Sequence, residues 1–233
     1  MGLKNLARAD ALKLQNKQVT GNIGTGAHAK VTPPPMRTVR IKIEGTVPLV
    51  MNAFSAKAHE MIRCKQSSGT QAKSKRGNRE AKDFQACYEA AKHISTEGWL
   101  GIPVMAFKGA LIDACRTTEI KMTHAKIGIF IVGDGYDKNY SVGLTKITKG
   151  EPFYFEAPVR IPSSGAIDLR ARPMWNPGWQ AVVTIRFNLE LFSVEDITNL
   201  LWRAGEFCGI LEGRASSKES NGQNWGHFTL INE

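Results

Sequence analysis

Basic side chains are concentrated between positions 57 and 82, with few acids to balance them. The segment has eight Lys and Arg residues and only Glu60 and Glu80 as acids. Ammonium and guanidinium groups on a loop suit contacts to phosphate oxygens, which bind a polyanion without reading its sequence. We expect such contacts from Lys57, Arg63, Lys65, Lys73, Lys75, Arg76 and Arg79. The alternative is a solvated connector, because positions 67–79 have the small polar composition of a linker.

A second cluster, LRARPMWNPGW at 169–179, combines arginine with tryptophan. Arg170 and Arg172 precede Trp175, which we expect to be exposed in irregular chain, whereas Trp179 opens a strand and favours the core. Exposed rings stack on unpaired bases while nearby cations contact phosphates, so this composition is typical of single-strand binding.

A third cluster is the glycine-rich stretch GILEGRASSKESNGQNWGHF at 209–228, which contains Arg214, Lys218 and Trp225. Glycines let a backbone approach a ligand closely, and unpaired backbone N–H groups bind phosphate oxygens. A plain flexible loop is the alternative interpretation.

Signatures of catalysis are absent from the sequence. It has no GxGxxG, P-loop, HExxH or GxSxG motif, and its four cysteines form no CxxC pair. We therefore expect no cofactor, no metal site, no enzymatic activity and reduced thiols in a cytoplasmic protein. His59 and His227 remain as the general bases of an alternative nuclease hypothesis.

The net charge of +10 is distributed unevenly along the chain. Residues 1–83 hold 16 Lys and Arg against 5 Asp and Glu, whereas residues 84–233 hold 15 against 16. This asymmetry favours a polyanionic partner. We expect no membrane span, because no apolar run approaches the roughly 20 residues that cross a bilayer. A basic tail that only aids solubility is the alternative.

The hydrophobic periodicity predicts an α+β fold. Strands are expected at 36–47, 125–133, 152–161 and 180–192, and near 226–231, with a hairpin turn at 133–139. Helices are expected at 79–94, 106–118 and 193–205; Ser193 and Asp196 form a capping box for the last, and Gly205 follows it as C′ residue. Without its insertions the order is β-α-β-β-α-β, the ferredoxin-like or RRM-like pattern.

This pattern divides the chain into an N-terminal arm and one domain. Residues 1–36 contain a few leucines and then glycines and prolines, so we expect an extended arm outside the core that docks on a neighbouring copy. A disordered segment is the equal alternative. Residues 37–233 form the domain, with a helical basic insertion at about 48–99, after the first strand.

The segment GIPVMAFKGALIDACR at 101–116 resembles the start of the first core helix in RAMP proteins, the RNA-binding backbone proteins of CRISPR complexes. Ile102, Pro103, Lys108, Gly109 and Leu111 match that pattern. The glycine-rich ending, with EGR at 212–214 and WGHF at 225–228, resembles the loop before the last strand of the same superfamily. Together with GTVPLVMNAFSAKA at 45–58, this ending also resembles uncharacterised proteins of tailed phages.

The resemblance implies an RRM-like core in which Lys108 and the glycine-rich loop contact a single strand, and copies that stack along it as a filament or helical oligomer. It leaves DNA and RNA equally open, and a phage relative would act in the host cytoplasm. RAMP nucleases use an aspartate after the first strand, and none lies between Asp10 and Asp83. We therefore expect a non-catalytic binder; a virion or other assembly protein and a RAMP-type endoribonuclease are the alternatives.

Overall fold

The structure is a computed structural model that describes residues 32–54, 56–67, 81–160, 165–217 and 223–231. At positions 56–58, 61 and 65 it describes the backbone only. Pro34–Glu233 form one compact unit. The predicted arm up to position 31 lies outside the described residues.

All strands in the described ranges pair antiparallel. They are β1 Met36–Gly45, β2 Leu49–Val50, β3 Gly101–Pro103, β4 Ile129–Val132, β5 Gly135–Tyr136, β6 Gly143–Lys149, β7 Phe153–Arg160, β8 Ile167–Trp175, β9 Gln180–Asn188 and β10 Phe228–Leu230. The larger sheet has the order β10-β1-β9-β6-β3, with β4 also paired to β9 and β5 to β6. The smaller sheet has the order β2-β8-β7.

Helices occupy the connections between these strands. They are α1 Ala56–Ser67, α2 Phe84–Ala90, α3 Val104–Ala114, α4 Met122–Gly128 and α5 Val194–Arg203. A 3₁₀ turn, Cys115–Thr117, follows α3, and a π turn, Ala204–Cys208, follows α5. An α+β fold is therefore confirmed. In the described part of the chain, no helix combines the length and the apolarity needed to cross a bilayer.

The core lies between one face of the larger sheet and two helices. Along β9, alternate residues are fully buried because they face α3 and α5. The buried side chains include Ala181, Val183, Ile185 and Phe187 from β9, Phe107 and Leu111 from α3, and Ile197 and Leu201 from α5. The two helices therefore fix the orientation of the central strands.

The predicted start of α5 is confirmed. Ser193 Oγ accepts a hydrogen bond from the Asp196 N–H at 3.1 Å, and the Asp196 carboxylate accepts one from the Ser193 N–H at 2.8 Å. The predicted role of Gly205 is wrong, because the chain continues through the π turn. A Cβ at Gly205 would lie 2.0 Å from the Phe228 carbonyl oxygen, so close packing requires the glycine.

Several other predicted elements differ in the structure. Within the described part of the helix expected at 79–94, only Phe84–Ala90 are α-helical, and the turn expected at 133–139 contains the short strand β5. Residues 169–175, expected to be irregular, belong to β8, which pairs with β7 along Arg160–Phe153. Residues 125–128, expected to be a strand, are the last part of α4, and the strand β4 begins only at Ile129. Ala125 is buried in the core. Tertiary packing therefore keeps residues 125–128 helical, although the residues that follow them have a composition typical of strands.

Candidate nucleic-acid interface

The structure joins the second and third clusters of the sequence around one cavity of about 290 Å³. One wall is the β7–β8 hairpin and the other is the loop that leads to β10. Four arginines line the cavity, and Glu212 is the only acid among its described lining residues. The arginines are Arg160, Arg170, Arg172 and Arg214. We call this cavity the arginine cleft.

The strand register places two of the hairpin's arginines on one face. Arg172 lies opposite Phe155, and Arg170 lies opposite Ala157. Residues two apart on a strand point to the same side, so both arginines face the cleft. Arg160, at the end of β7, adds a cation that the sequence analysis missed; its position at the end of the predicted strand PFYFEAPVRI was the available signal.

Arg172 holds the two walls together. Its side chain is 2% exposed and forms an ion pair with Glu212, which is 22% exposed. The guanidinium also lies near a pair of contacting rings, 5.7 Å from the Phe155 centroid and 6.0 Å from that of Trp225. Cation–π contacts of this kind strengthen as water is excluded. Arg172 thus has mainly a structural role, although its buried Nε has no hydrogen-bond partner among the described atoms.

Arg170 is tied to a second basic residue through Asp168. The Asp168 carboxylate accepts hydrogen bonds from Lys82 Nζ at 2.9 Å and from Arg170 Nε at 3.2 Å. The bond from Lys82, aided by Arg170 and opposed by partial burial, lowers the pKa of Asp168 from its ordinary value of 3.8. Lys82 also donates to the Leu169 carbonyl. The end of the basic segment is therefore bound to the hairpin beside the cleft.

The loop wall depends on two glycines in the left-handed region. Gly213 has φ 72°, and a Cβ there would lie 2.5 Å from the Trp225 ring. Gly226 has φ 74°, and a Cβ there would lie 2.0 Å from the Ile210 carbonyl oxygen. Between them the Trp225 N–H donates to the Gly213 carbonyl at 3.2 Å. The described parts of the loop, 209–217 and 223–227, thus form a packed wall.

The expectation that the glycine N–H groups are open to phosphate is wrong at two positions. The Gly209 N–H donates to the Ala204 carbonyl at 3.0 Å, and the Gly226 N–H donates to the Pro48 carbonyl at 2.9 Å. Arg214 lines the cleft and donates from Nη1 to the Leu211 carbonyl at 3.0 Å, which leaves other guanidinium N–H groups for a ligand.

Trp175 is not exposed, contrary to the prediction. Its side chain is fully buried, because β8 pairs with β2 at this point and the residue joins the main core. Trp179 is also fully buried, and its Nε1 donates to the Val47 carbonyl at 3.1 Å. Trp225 is half-buried and packs edge-to-face on Phe155. Of the two tryptophans predicted to contact a ligand, Trp175 and Trp225, only Trp225 lines the cleft.

Lys108 lies outside the cleft and is occupied by backbone groups. Its ammonium donates to the carbonyls of Ala125, Lys126 and Ile129 where α4 ends, and it lies 5.2 Å from the Phe130 ring centroid. Partial burial lowers the pKa of Lys108. A cation at this position satisfies carbonyls that a helix end leaves unpaired.

The basic insertion is described only in part. Arg63 lies on α1, is exposed, and has Glu60 at 4.0 Å. Lys57 and Lys65 lie on the same helix, but their side chains are not described. The remaining predicted contacts fall outside the described residues: Lys73, Lys75, Arg76, Arg79 and Lys218. Their phosphate contacts stay predictions.

Fold and cleft together define an α+β protein with a cation-lined groove beside its core. No family model matches the chain, and no curated protein matches it. Among solved structures, it is similar to a chain from the cryo-EM structure of the type III-B Cmr-beta bound to cognate target RNA. The TM-score is 0.48 at 10% sequence identity, over 99% of this chain and 66% of that chain. A likeness at this level identifies neither the family nor the function.

Proposed function

We propose that the protein is a non-catalytic single-stranded nucleic-acid-binding protein that contacts the backbone of its ligand. The observation that carries this proposal is the arginine cleft, in which four arginines from two distant segments of the chain meet around one acid. Three of them, Arg160, Arg170 and Arg214, form no ion pair with that acid. Each guanidinium group offers paired N–H donors whose spacing matches the oxygens of a phosphate, so a cluster of them is well suited to bind phosphates.

The size and chemistry of the cleft support a single strand. Its volume is about 290 Å³, at the lower limit for ligand pockets, which suits one phosphate–sugar unit better than a duplex. The ring of Trp225 is already packed on Phe155 and Arg172. Binding should therefore depend on charge more than on base stacking, and should be insensitive to sequence.

We further propose a ferredoxin-like, RRM-like core of the RAMP kind. The order β10-β1-β9, continued by β4 and β6, supports it, as do α3 and α5 on one face. In this proposal β2, α1 and α2 belong to the insertion at about 48–99, between the first strand and the first core helix. Copies would align side by side along the strand in the cytoplasm, with the N-terminal arm joining neighbours.

The proposal includes a lack of catalytic activity. The hydrogen bonding and burial of the His227 ring support this part. Its Nδ1 donates to the Glu206 carbonyl at 2.9 Å, and its Nε2 is buried without a partner among the described atoms. Neither ring nitrogen is placed to take a proton from a bound strand.

Fluorescence anisotropy tests the function directly. The wild-type protein is titrated into labelled single-stranded DNA, single-stranded RNA and duplex DNA at low and high salt, and the RNA is examined for cleavage with and without magnesium. We expect tighter binding to single strands, a steep loss with salt, and intact RNA. Equal affinity at both salts, or preference for the duplex, would refute the proposal; cut RNA would refute its non-catalytic part.

A further inference from the structure

The face of the larger sheet that points away from α3 and α5 carries a second group of cations. Along β1 and β9 the residues between the buried positions form this face. The register places Thr38 opposite Arg186, Arg40 opposite Thr184, and Lys42 opposite Val182. We call this surface the open face.

Three cations on the open face are available to a ligand. Arg40 and Arg186 are exposed and Lys42 is half-buried, and none of their side chains forms an ion pair or hydrogen bond among the described residues. The nearby acid, Glu44, accepts a hydrogen bond from Gln180 at the end of the sheet. Unpaired cations side by side repel one another, and a bound polyanion removes that repulsion.

The central strands offer no ring for stacking on this face. The open face of β1 and β9 has threonine, valine, arginine, lysine and, at its ends, methionine, amide and acid side chains. The aromatic residue beside it, Phe130, lies on the neighbouring strand β4 and is 47% exposed. Bases therefore have no stacking platform at the centre, whereas phosphates have both cations and the Thr38 and Thr184 hydroxyls.

The spacing of the cations suits an extended backbone. Arg40 and Lys42 are two residues apart on one strand, which separates them by about 7 Å along the sheet. Arg186 lies on the adjacent strand, opposite Thr38 and thus on the other side of Arg40 from Lys42. The three charges form a short track across β1 and β9, comparable in spacing to successive phosphates of an extended single strand.

We propose that the open face is a second phosphate-binding surface for single-stranded nucleic acid, formed by Arg40, Lys42 and Arg186 and independent of base identity. This inference rests on the proposed function, since both surfaces bind the same ligand. It adds a site that shares no residue with the arginine cleft.

The test compares three variants that each lose three positive charges. The face variant is R40Q/K42Q/R186Q, the cleft variant is R160Q/R170Q/R214Q, and the control is K121Q/K138Q/R203Q, whose positions belong to neither surface. Each is titrated with labelled single-stranded DNA and with an abasic strand of equal length over a range of salt. Circular dichroism and thermal unfolding confirm that each variant is folded.

Relative to the control, the face variant should bind both strands at least about tenfold more weakly. The slope of log K against log salt should become shallower by about 2, because each single-strand phosphate contact contributes about 0.7. A face variant that loses affinity only for the strand with bases would overturn the backbone-contact part of the inference.

Other outcomes separate the two proposals. If the wild type binds and the face variant matches the control, the open face is not a binding surface, while the proposed function stands. If the wild type does not bind single strands, both proposals fail. If light scattering shows that the face variant alters self-association and strand affinity is unchanged, the face joins copies of this chain and the inference is overturned.

Discussion

Arg172 and Glu212, 40 residues apart in sequence, form an ion pair across the two walls of the arginine cleft. The Arg172 guanidinium of this pair also lies near the rings of Phe155 and Trp225. The hairpin and the glycine-rich loop are thus joined by a charged contact, which connects the two walls that carry the other three arginines before a ligand arrives. Preorganised cations bind an anion more tightly than cations on mobile loops, since less ordering is required on binding.

Removing one partner of this pair should destabilise the fold. Arg172→Met leaves the Glu212 carboxylate partly buried without its partner, and we expect a loss of about 3 kcal/mol in the free energy of unfolding. Adding Glu212→Gln to this variant should recover part of the loss, because the uncompensated charge is gone. Urea denaturation of both single variants and the double variant gives the coupling energy. Simple additivity of the two effects would contradict the assigned pairing.

Gly226 should not tolerate a side chain. Gly226→Ala combines a positive φ with a Cβ 2.0 Å from the Ile210 carbonyl oxygen, so we expect destabilisation by about 2 kcal/mol or more. Gly109→Ala is the matched control, since no heavy atom lies within 4 Å of its Cβ position and it is within α3. Thermal unfolding should show stabilisation of this control by about 0.5–1 kcal/mol. Equal effects at the two sites would contradict the described loop.

Lys108 should support the fold rather than the ligand. Lys108→Met removes the donor to three carbonyls at the end of α4 and should cost about 1–2 kcal/mol of stability. We expect the folded variant to bind single-stranded DNA with wild-type affinity, apart from the small effect of one lost charge. A large loss of affinity without a loss of stability would assign Lys108 to the strand-binding surface instead.

The Asp168 ion pairs predict a pH dependence of stability. The pKa of Asp168 is lowered in the folded state, so its contribution is present above the unfolded value of 3.8 and is lost as pH falls through the lower folded value. Asp168→Asn should cost about 0.5 kcal/mol near neutral pH, because the carboxylate is partly exposed. Urea midpoints of variant and wild type should converge below pH 3.8. A constant difference down to the lowest pH would exclude this linkage.

Local patterns predicted those parts of the fold whose signal lies within one element. The alternation of β9 and the capping box of α5 are of this kind, and both are present in the structure. The strand character of β8 was not visible, because its buried positions include Arg172, Pro173 and Trp175 rather than alternating aliphatic residues. Their burial depends on β2 and on the C-terminal loop, which no local pattern reveals.

The candidate site could likewise be predicted from the sequence only in part. Composition marked Arg170, Arg172, Arg214 and Trp225 as possible ligand contacts, but not that they line one cavity. The role of Arg172 changed from a ligand contact to a structural one once Glu212 was found beside it. Pairing across 40 residues is a tertiary property, so sequence spacing could not predict it.

The salt dependence of strand binding by the cleft variant R160Q/R170Q/R214Q tests the central claim most directly. None of these three arginines forms the buried ion pair of Arg172, and Arg170 has only the partly exposed pair with Asp168, so the variant should remain folded. Compared with K121Q/K138Q/R203Q, the cleft variant should bind single-stranded DNA at least about tenfold more weakly, with a slope of log K against log salt shallower by about 2. An affinity and a slope equal to those of the control would contradict the assignment of the arginine cleft as the strand-binding site.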